Sequence, residues 1–166
     1  EDPDPVVVLE PRVLYAEREE YEFDRNYRIP LGQAEIVRKG ADATLVTCGS
    51  MVRVALAAAE ELAKDGISCE VIDLRTVRPI DYDTVIESVK KTNRLVCVEE
   101  AWPLGSISTE ISYMVQKRAF DYLDAPIIRI TTSDTPAAYA PTLMEAFLPN
   151  PAKVIKAVRE VLYVNK

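Results

Sequence analysis

Short apolar runs separated by proline-, glycine- or acid-marked turns organise most of this chain. Val6–Leu9 is a continuous apolar run, expected as a buried strand, and Thr44–Thr47, Cys69–Leu74, Leu95–Val98 and Ile127–Thr131 are strand-length segments rich in apolar and β-branched residues. Ala34–Arg38 alternates, and Lys39-Gly40-Ala41-Asp42 then turns into Thr44, so these two segments are expected to pair as antiparallel neighbours. Between the runs the period changes to helical. Ser50 is placed to cap an Ala-rich helix over Met51–Lys64 that Gly66 ends. Asp81 is placed to cap Tyr82–Lys91, with Val85, Ile86 and Val89 facing inward. Ile107, Ile111, Met114 and Val115 form a stripe over Ser106–Arg118. Val154, Ile155, Val158, Val161 and Leu162 mark a closing helix, with Pro151 suited to its first turn. Residues 15–28 show no period and read as an irregular connection. Thr132–Asn150 carries Pro136, Pro141 and Pro149 and reads as ordered but not regular.

The order β-β-α-β-α-β-α-β-loop-α predicts an α/β fold. Right-handed crossovers give three layers, α/β/α, around a mostly parallel five-stranded sheet with one antiparallel edge strand. At 166 residues and 48 % hydrophobic, one domain with an adequate core is expected, with a short extension. No apolar run approaches the ~20 residues of a membrane span, and no signal peptide opens the chain. It starts without Met, which reads as a processed or excised piece.

Charge and composition exclude several chemistries. Residues 1–24 hold nine Asp or Glu against Arg12 and Arg18, and the remainder is balanced at 18 of each sign. Nucleic acid is therefore a poor partner, since phosphate attraction needs a basic face. The acidic stretch Glu17–Asp24 is either a solvated loop or a contact for a basic partner. Histidine is absent, so Ser-His-Asp and Cys-His triads and imidazole metal sites cannot come from this chain. Cys48, Cys69 and Cys97 each sit in a predicted strand and outside any CxxC pair. They read as small buried apolar residues of a reducing, cytoplasmic protein.

Three places could carry chemistry or recognition. Gly49-Ser50 lies where a phosphate loop would lie, yet no GxGxxG or Walker pattern can be written, and a capping turn is the better reading. Glu99-Glu100 ends a strand, where adjacent side chains point to opposite faces. At least one of them should accept hydrogen bonds from a helix N-terminus. Trp102 reads as core or interface. Asp121 and Asp124 flank Tyr122-Leu123 in the loop before the last strand. They are either solvated or an anchor for an arginine-bearing partner.

Five blocks, in order, carry a resemblance: Asp4–Glu10 with Leu14-Tyr15 and Ile29–Gly32, Cys69–Asp81, Val96–Pro103, Ala119–Pro126 and Asp134–Pro136. Together they resemble the C-terminal half of the β subunit of thiamine-dependent 2-oxo acid dehydrogenases, a half similar to the transketolase C-terminal domain. Phe120–Pro126 and Glu99–Pro103 look most like the pyruvate enzyme, whereas Cys69–Thr76 looks equally like the branched-chain one. Pro136-Ala-Ala-Tyr-Ala140 departs from the pyruvate pattern, as Glu10-Pro11 departs from the family's Glu-Asn.

The resemblance implies residues 1–28 as the end of a preceding thiamine-binding half and its linker, and 29–166 as a transketolase C-terminal-like domain. It implies thiamine diphosphate and magnesium in the whole enzyme and none in this piece, since the cofactor-activating glutamate and active-site histidine belong to the other half. Catalytic residues are thus expected to be absent here. The implied partners are an α subunit, a second β subunit and the subunit-binding domain of a dihydrolipoyl acyltransferase. Asp124 falls at a docking position, with Asp121 and the terminal carboxylate of Lys166 as further candidates, and Asp2 and Asp4 fall near a potassium loop. The compartment would be bacterial cytoplasm or the mitochondrial matrix. A free-standing, non-catalytic interaction module is the alternative reading.

Overall fold

The computed structural model of the chain describes residues 3–164, apart from 19, 21 and 23. Five strands form one sheet: β1 (Glu35–Arg38), β2 (Ala43–Thr47), β3 (Cys69–Asp73), β4 (Leu95–Val98) and β5 (Ile128–Ile130). Their spatial order is β1-β3-β2-β4-β5, with β1 antiparallel to β3 and the other pairs parallel. The expected three-layer α/β fold with one antiparallel edge strand is what forms.

Strand alternation sorts the core into two halves. Leu45, Cys69, Val71, Val96 and Val98 face α1 (Met51–Lys64) and α5 (Pro151–Val161). Val46, Ile72, Leu95 and Cys97 face α2 (Tyr82–Thr92) and α3 (Ile107–Ala119). Helix α1 buries Ala55, Ala58 and Ala59, and such small side chains let it lie close on the sheet. It stops at Gly66, where φ is +79°. Helix α2 starts at Asp81, whose carboxylate accepts from Thr84 N at 3.0 Å, and ends at Asn93 in the left-handed region at φ 61°. Burial pushes the Asp81 carboxyl up, but hydrogen bonds from Thr84 and Ala34 outweigh it and hold it below the usual range.

Three expectations are corrected. The two segments joined by Lys39–Asp42 do not pair with each other. Ala41 N and Asp42 N both donate to Ser68 O, at 2.9 and 2.8 Å, and this ties the turn to the start of β3. β3 therefore lies between β1 and β2, and β2, buried at every position, gains a parallel neighbour on each side. Val6–Leu9 is not a buried strand: Val7 is 83 % and Leu9 81 % exposed, and the segment joins no strand of the sheet. A short 3₁₀ turn, Arg12–Ala16, overlaps only the first two residues of the stretch 15–28, and the described residues after it are irregular as expected. The proline-rich loop contains a helix, α4 (Pro141–Phe147), with Pro141 in its first turn.

Candidate functional site

The candidate residues lie at the two opposite ends of the sheet. At the carboxyl ends of the strands, β2 and β4 lie side by side while their connections depart in opposite directions, the switch point at which open α/β sheets hold ligands. Here Glu99 lies on the α3 side and accepts Ile107 N and Ser108 N, each at 2.9 Å. Glu100 lies on the α1 side and accepts from Ser50 Oγ at 3.0 Å. The reading of Glu99 as a cap for a neighbouring helix is borne out, and so is the opposite-face argument. Ser50 does not cap α1 with its side chain: its backbone is already helical, at φ −60° and ψ −25°, and its hydroxyl serves Glu100 instead.

A small crevice at this switch point is lined by Thr47, Cys48, Leu74, Glu99, Ile107 and Ile111, among others. It suits a diphosphate poorly. The α3 amides that would bind phosphate are already given to Glu99, and two carboxylates stand at the strand end. Burial pushes the Cys48 thiol up to about 11, so it is no thiolate nucleophile at neutral pH. The same holds for Cys69 and Cys97, both held near 12 by burial. Thiamine diphosphate does not fit these residues.

Replacing Glu99 by alanine removes the acceptor for two N–H groups at a helix start. A loss of about 1–2 kcal/mol is expected, read as a lower urea midpoint at unchanged slope. An unshifted midpoint would show that the cap contributes nothing.

The loop that follows β4 is tied down by hydrogen bonds. Trp102 is 52 % exposed, so it is a surface residue and not core. Its indole N–H donates to Thr135 O at 3.1 Å, and Thr132 N and Oγ1 both donate to Ala101 O at 3.0 Å. Arg129 on β5 ties the same loop by donating to Pro103 O at 2.9 Å and Thr109 Oγ1 at 2.7 Å. Leu104 is 91 % and Tyr139 102 % exposed.

Asp124 lies at the other end of the sheet, where β4 and β5 begin. The structure therefore does not bring it together with Glu99, Glu100 or Trp102. Its carboxylate meets Arg94 Nη2 at 3.4 Å and remains 57 % exposed. Its backbone is pinned: Asp124 N donates to Asn93 O at 2.9 Å, and Asn93 Nδ2 donates to Tyr122 O at 2.7 Å. Tyr163 Oη also donates to Asp124 O at 3.3 Å. Lys90 sits over the Tyr122 ring, 5.7 Å from its centroid. Asp121 is exposed in the 3₁₀ turn Phe120–Tyr122. Lys166 and Asp2 lie outside the described residues. Asp4 is described, and among the described residues no group of three or more Cys, Asp or Glu could hold a metal ion.

Sequence reasoning missed Arg94, Asn93 and Tyr163. An Asn just past a helix is a readable stop signal. The partners of Arg94 and Tyr163 lie far along the chain and leave no local trace.

A family model described as "Transketolase, C-terminal domain" matches residues 32–154. The chain belongs to the transketolase C-terminal domain family. This transketolase C-terminal domain is similar to "Pyruvate dehydrogenase E1 component subunit beta" of Rhizobium meliloti. The two are 51 % identical over 98 % of this chain and 35 % of that protein. It is 45 % identical to the mitochondrial counterpart of Dictyostelium discoideum, over 99 % of this chain and 47 % of that protein. The counterpart of Rickettsia felis is 48 % identical over 99 % of this chain and 50 % of its own length. The chain thus spans a third to a half of the curated relatives it matches. Among solved structures it resembles a split-gene transketolase described as an inactive beta4 tetramer. The TM-score is 0.75 and the identity 26 %, over 87 % of this chain and 46 % of that one. The resemblance carried by the five ordered blocks is borne out. No helix among the described residues is long and apolar enough to cross a membrane.

Proposed function

We propose that this chain is the C-terminal half of the β subunit of a pyruvate dehydrogenase decarboxylase component, and that it works in assembly and docking without doing chemistry. In the whole enzyme, thiamine diphosphate and magnesium support decarboxylation of pyruvate and transfer of its acetyl group to a lipoyl group. The residues for that step belong to the other half of the subunit and to the α subunit. The relatives' names and the partial coverage of their length support this reading over a branched-chain enzyme. The lack of histidine and the crevice's poor fit to a diphosphate support it as well.

The boundary follows the same logic. Residues 1–28 are the linker from the preceding half and 29–166 the domain, supported by a family match that starts at residue 32. The exposed Val7, Val8 and Leu9 fit a segment that packs on that half. A potassium site at Asp2 and Asp4 would be completed by oxygens from it. The exposed apolar side chains Trp102, Leu104 and Tyr139 suit contact with α or a second β subunit. The compartment follows the relatives, bacterial cytoplasm or mitochondrial matrix.

For docking, the observation that carries the reading is Asp124: a half-exposed carboxylate on a backbone pinned by Asn93 and Tyr163. The subunit-binding domain of a dihydrolipoyl acyltransferase would bring an Arg or Lys to it. Truncating one member of a partly desolvated charge pair costs ~2–5 kcal/mol, against well under ~1 for a rim acid. Asp124→Ala should weaken binding at least ~10-fold, at ~1.4 kcal/mol per decade, whereas Asp121→Ala should barely change it. Surface-binding kinetics with the acyltransferase domain measure both. Equal affinities for wild type and Asp124→Ala would remove this residue from the contact.

A further inference from the structure

Arg94 is built into the Asp124 end more deeply than any residue there that the sequence singled out. It lies between the end of α2 and the start of β4, with its side chain 23 % exposed. Nε donates to Val161 O, the last residue of α5, at 3.0 Å, and Nη1 donates to Thr92 O, the last residue of α2, at 3.4 Å. Both are helix-terminal carbonyls, which lack a partner within their own helix and favour a cation. Nη2 then reaches Asp124 Oδ2 at 3.4 Å. One planar guanidinium therefore fastens two helix ends and one loop, a geometry an ammonium cannot reproduce.

The other ties to the Asp124 loop hold backbone atoms: Asp124 N to Asn93 O, Tyr122 O to Asn93 Nδ2, and Asp124 O to Tyr163 Oη. Arg94, by contrast, meets the carboxylate itself, with Nη2 at 3.4 Å from Oδ2. The Asp124 side chain remains more than half exposed beside that contact. An incoming guanidinium or ammonium can take Oδ1 without displacing Arg94, so the carboxylate need not reorient or lose rotamer freedom on binding.

Resting on the docking reading above, we propose that Arg94 is the positioning residue of this surface, holding Asp124 by one oxygen so that the other is presented to a basic partner. Arg94 does not touch the partner. Its removal should slow nothing in encounter but speed dissociation, since the charge that steers approach is kept while the orientation of the carboxylate is lost.

The test is a double-mutant cycle in the full-length β subunit within its assembled decarboxylase, using the acyltransferase's subunit-binding domain as probe. Arg94→Met and Arg94→Lys are each combined with Asp124→Ala. Arg94→Met alone should weaken binding ~5- to 10-fold through dissociation, and it should cost nothing further once Asp124 is alanine; coupling of that size is typical of residues in contact. Arg94→Lys keeps the charge and stem. It guards against misfolding of the methionine variant, and it should lose about half of the effect on a logarithmic scale. A merely structural Arg94 would instead give additive losses, and additive or absent losses in the lysine cycle overturn the proposal. If Asp124→Ala itself changes nothing, the docking reading has failed. If Asp124→Ala weakens binding but Arg94 variants bind as wild type or tighter, only the positioning role has failed.

Discussion

Gly40→Ala is expected to be among the most damaging single substitutions in this domain, although it adds one methyl group in a turn. A Cβ there would sit 2.1 Å from the carbonyl carbon and 2.2 Å from the amide nitrogen flanking the Cys69–Glu70 peptide. Both are backbone atoms of β3, so neither can swing aside as a side chain would. The turn must lift away from β3, and with it go the Ala41 and Asp42 hydrogen bonds to Ser68 O. A loss of ~3 kcal/mol or more is expected, at the upper end of overpacking effects. Gly66→Ala is the natural comparison. It has a φ of +79° but no atom within 4 Å, so it should cost only the ~1 kcal/mol of left-handed strain. Urea unfolding separates the two; equal losses would contradict the close approach.

The second large effect lies under α2. Glu70 on β3 is 1 % exposed and bonded to Lys91, with Ser88 Oγ donating at 2.6 Å and Gly40 N approaching at 3.4 Å. Thr44 Oγ1 lies 2.7 Å from both Ser88 Oγ and Thr92 Oγ1, and extends the network beneath the helix. Burial raises the Glu70 carboxyl, but Lys91, Ser88 and Gly40 together outweigh it and hold it below its ordinary value of 4.5. A depressed folded-state pKa contributes stability above the unfolded value and loses it as pH falls through the folded one. Glu70→Gln should therefore flatten the loss of stability below about pH 4.5. Lys91→Met should do more harm at neutral pH, because it leaves a buried carboxylate short of its cation. Breaking a fully buried pair costs ~3–5 kcal/mol, and since the Lys91 side chain is 47 % exposed about 2 is expected here. A pH-stability profile of Glu70→Gln parallel to wild type would contradict the assignment.

These two sites show where sequence reasoning stops. The helix faces were legible because α2 and α3 repeat Val85-Ile86-Val89 and Ile111-Val115 at a period that needs no partner to interpret. The Asp81 cap and the Gly66 stop were local for the same reason, whereas the Asn93 stop, equally local, went unread. The place of β1 was not legible: two strands four residues apart suggest a hairpin until Ser68, far along the chain, claims the turn. Ser50 illustrates a different failure. A serine before a helix reads as a cap, but Glu100 from the neighbouring strand end takes its hydroxyl. Glu70 broke the pattern of a purely apolar strand, and only Lys91 and Ser88 on α2 explain why it is tolerated. At the candidate docking end, Asp124 could be read as a loop acid, whereas Arg94 could not be read as its holder. Its contacts with Val161 and Asp124 are properties of the assembled fold.

The central claim is that this half of the subunit carries contacts and not the cofactor machinery. Calorimetric titration of the chain with thiamine diphosphate in the presence of magnesium tests it most directly. The expected result is no saturable heat at micromolar ligand, because the α3 amides are held by Glu99 and the carboxylates of Glu99 and Glu100 stand where a diphosphate would lie. Saturable micromolar binding would contradict the account and return the switch-point crevice to the role of a cofactor site.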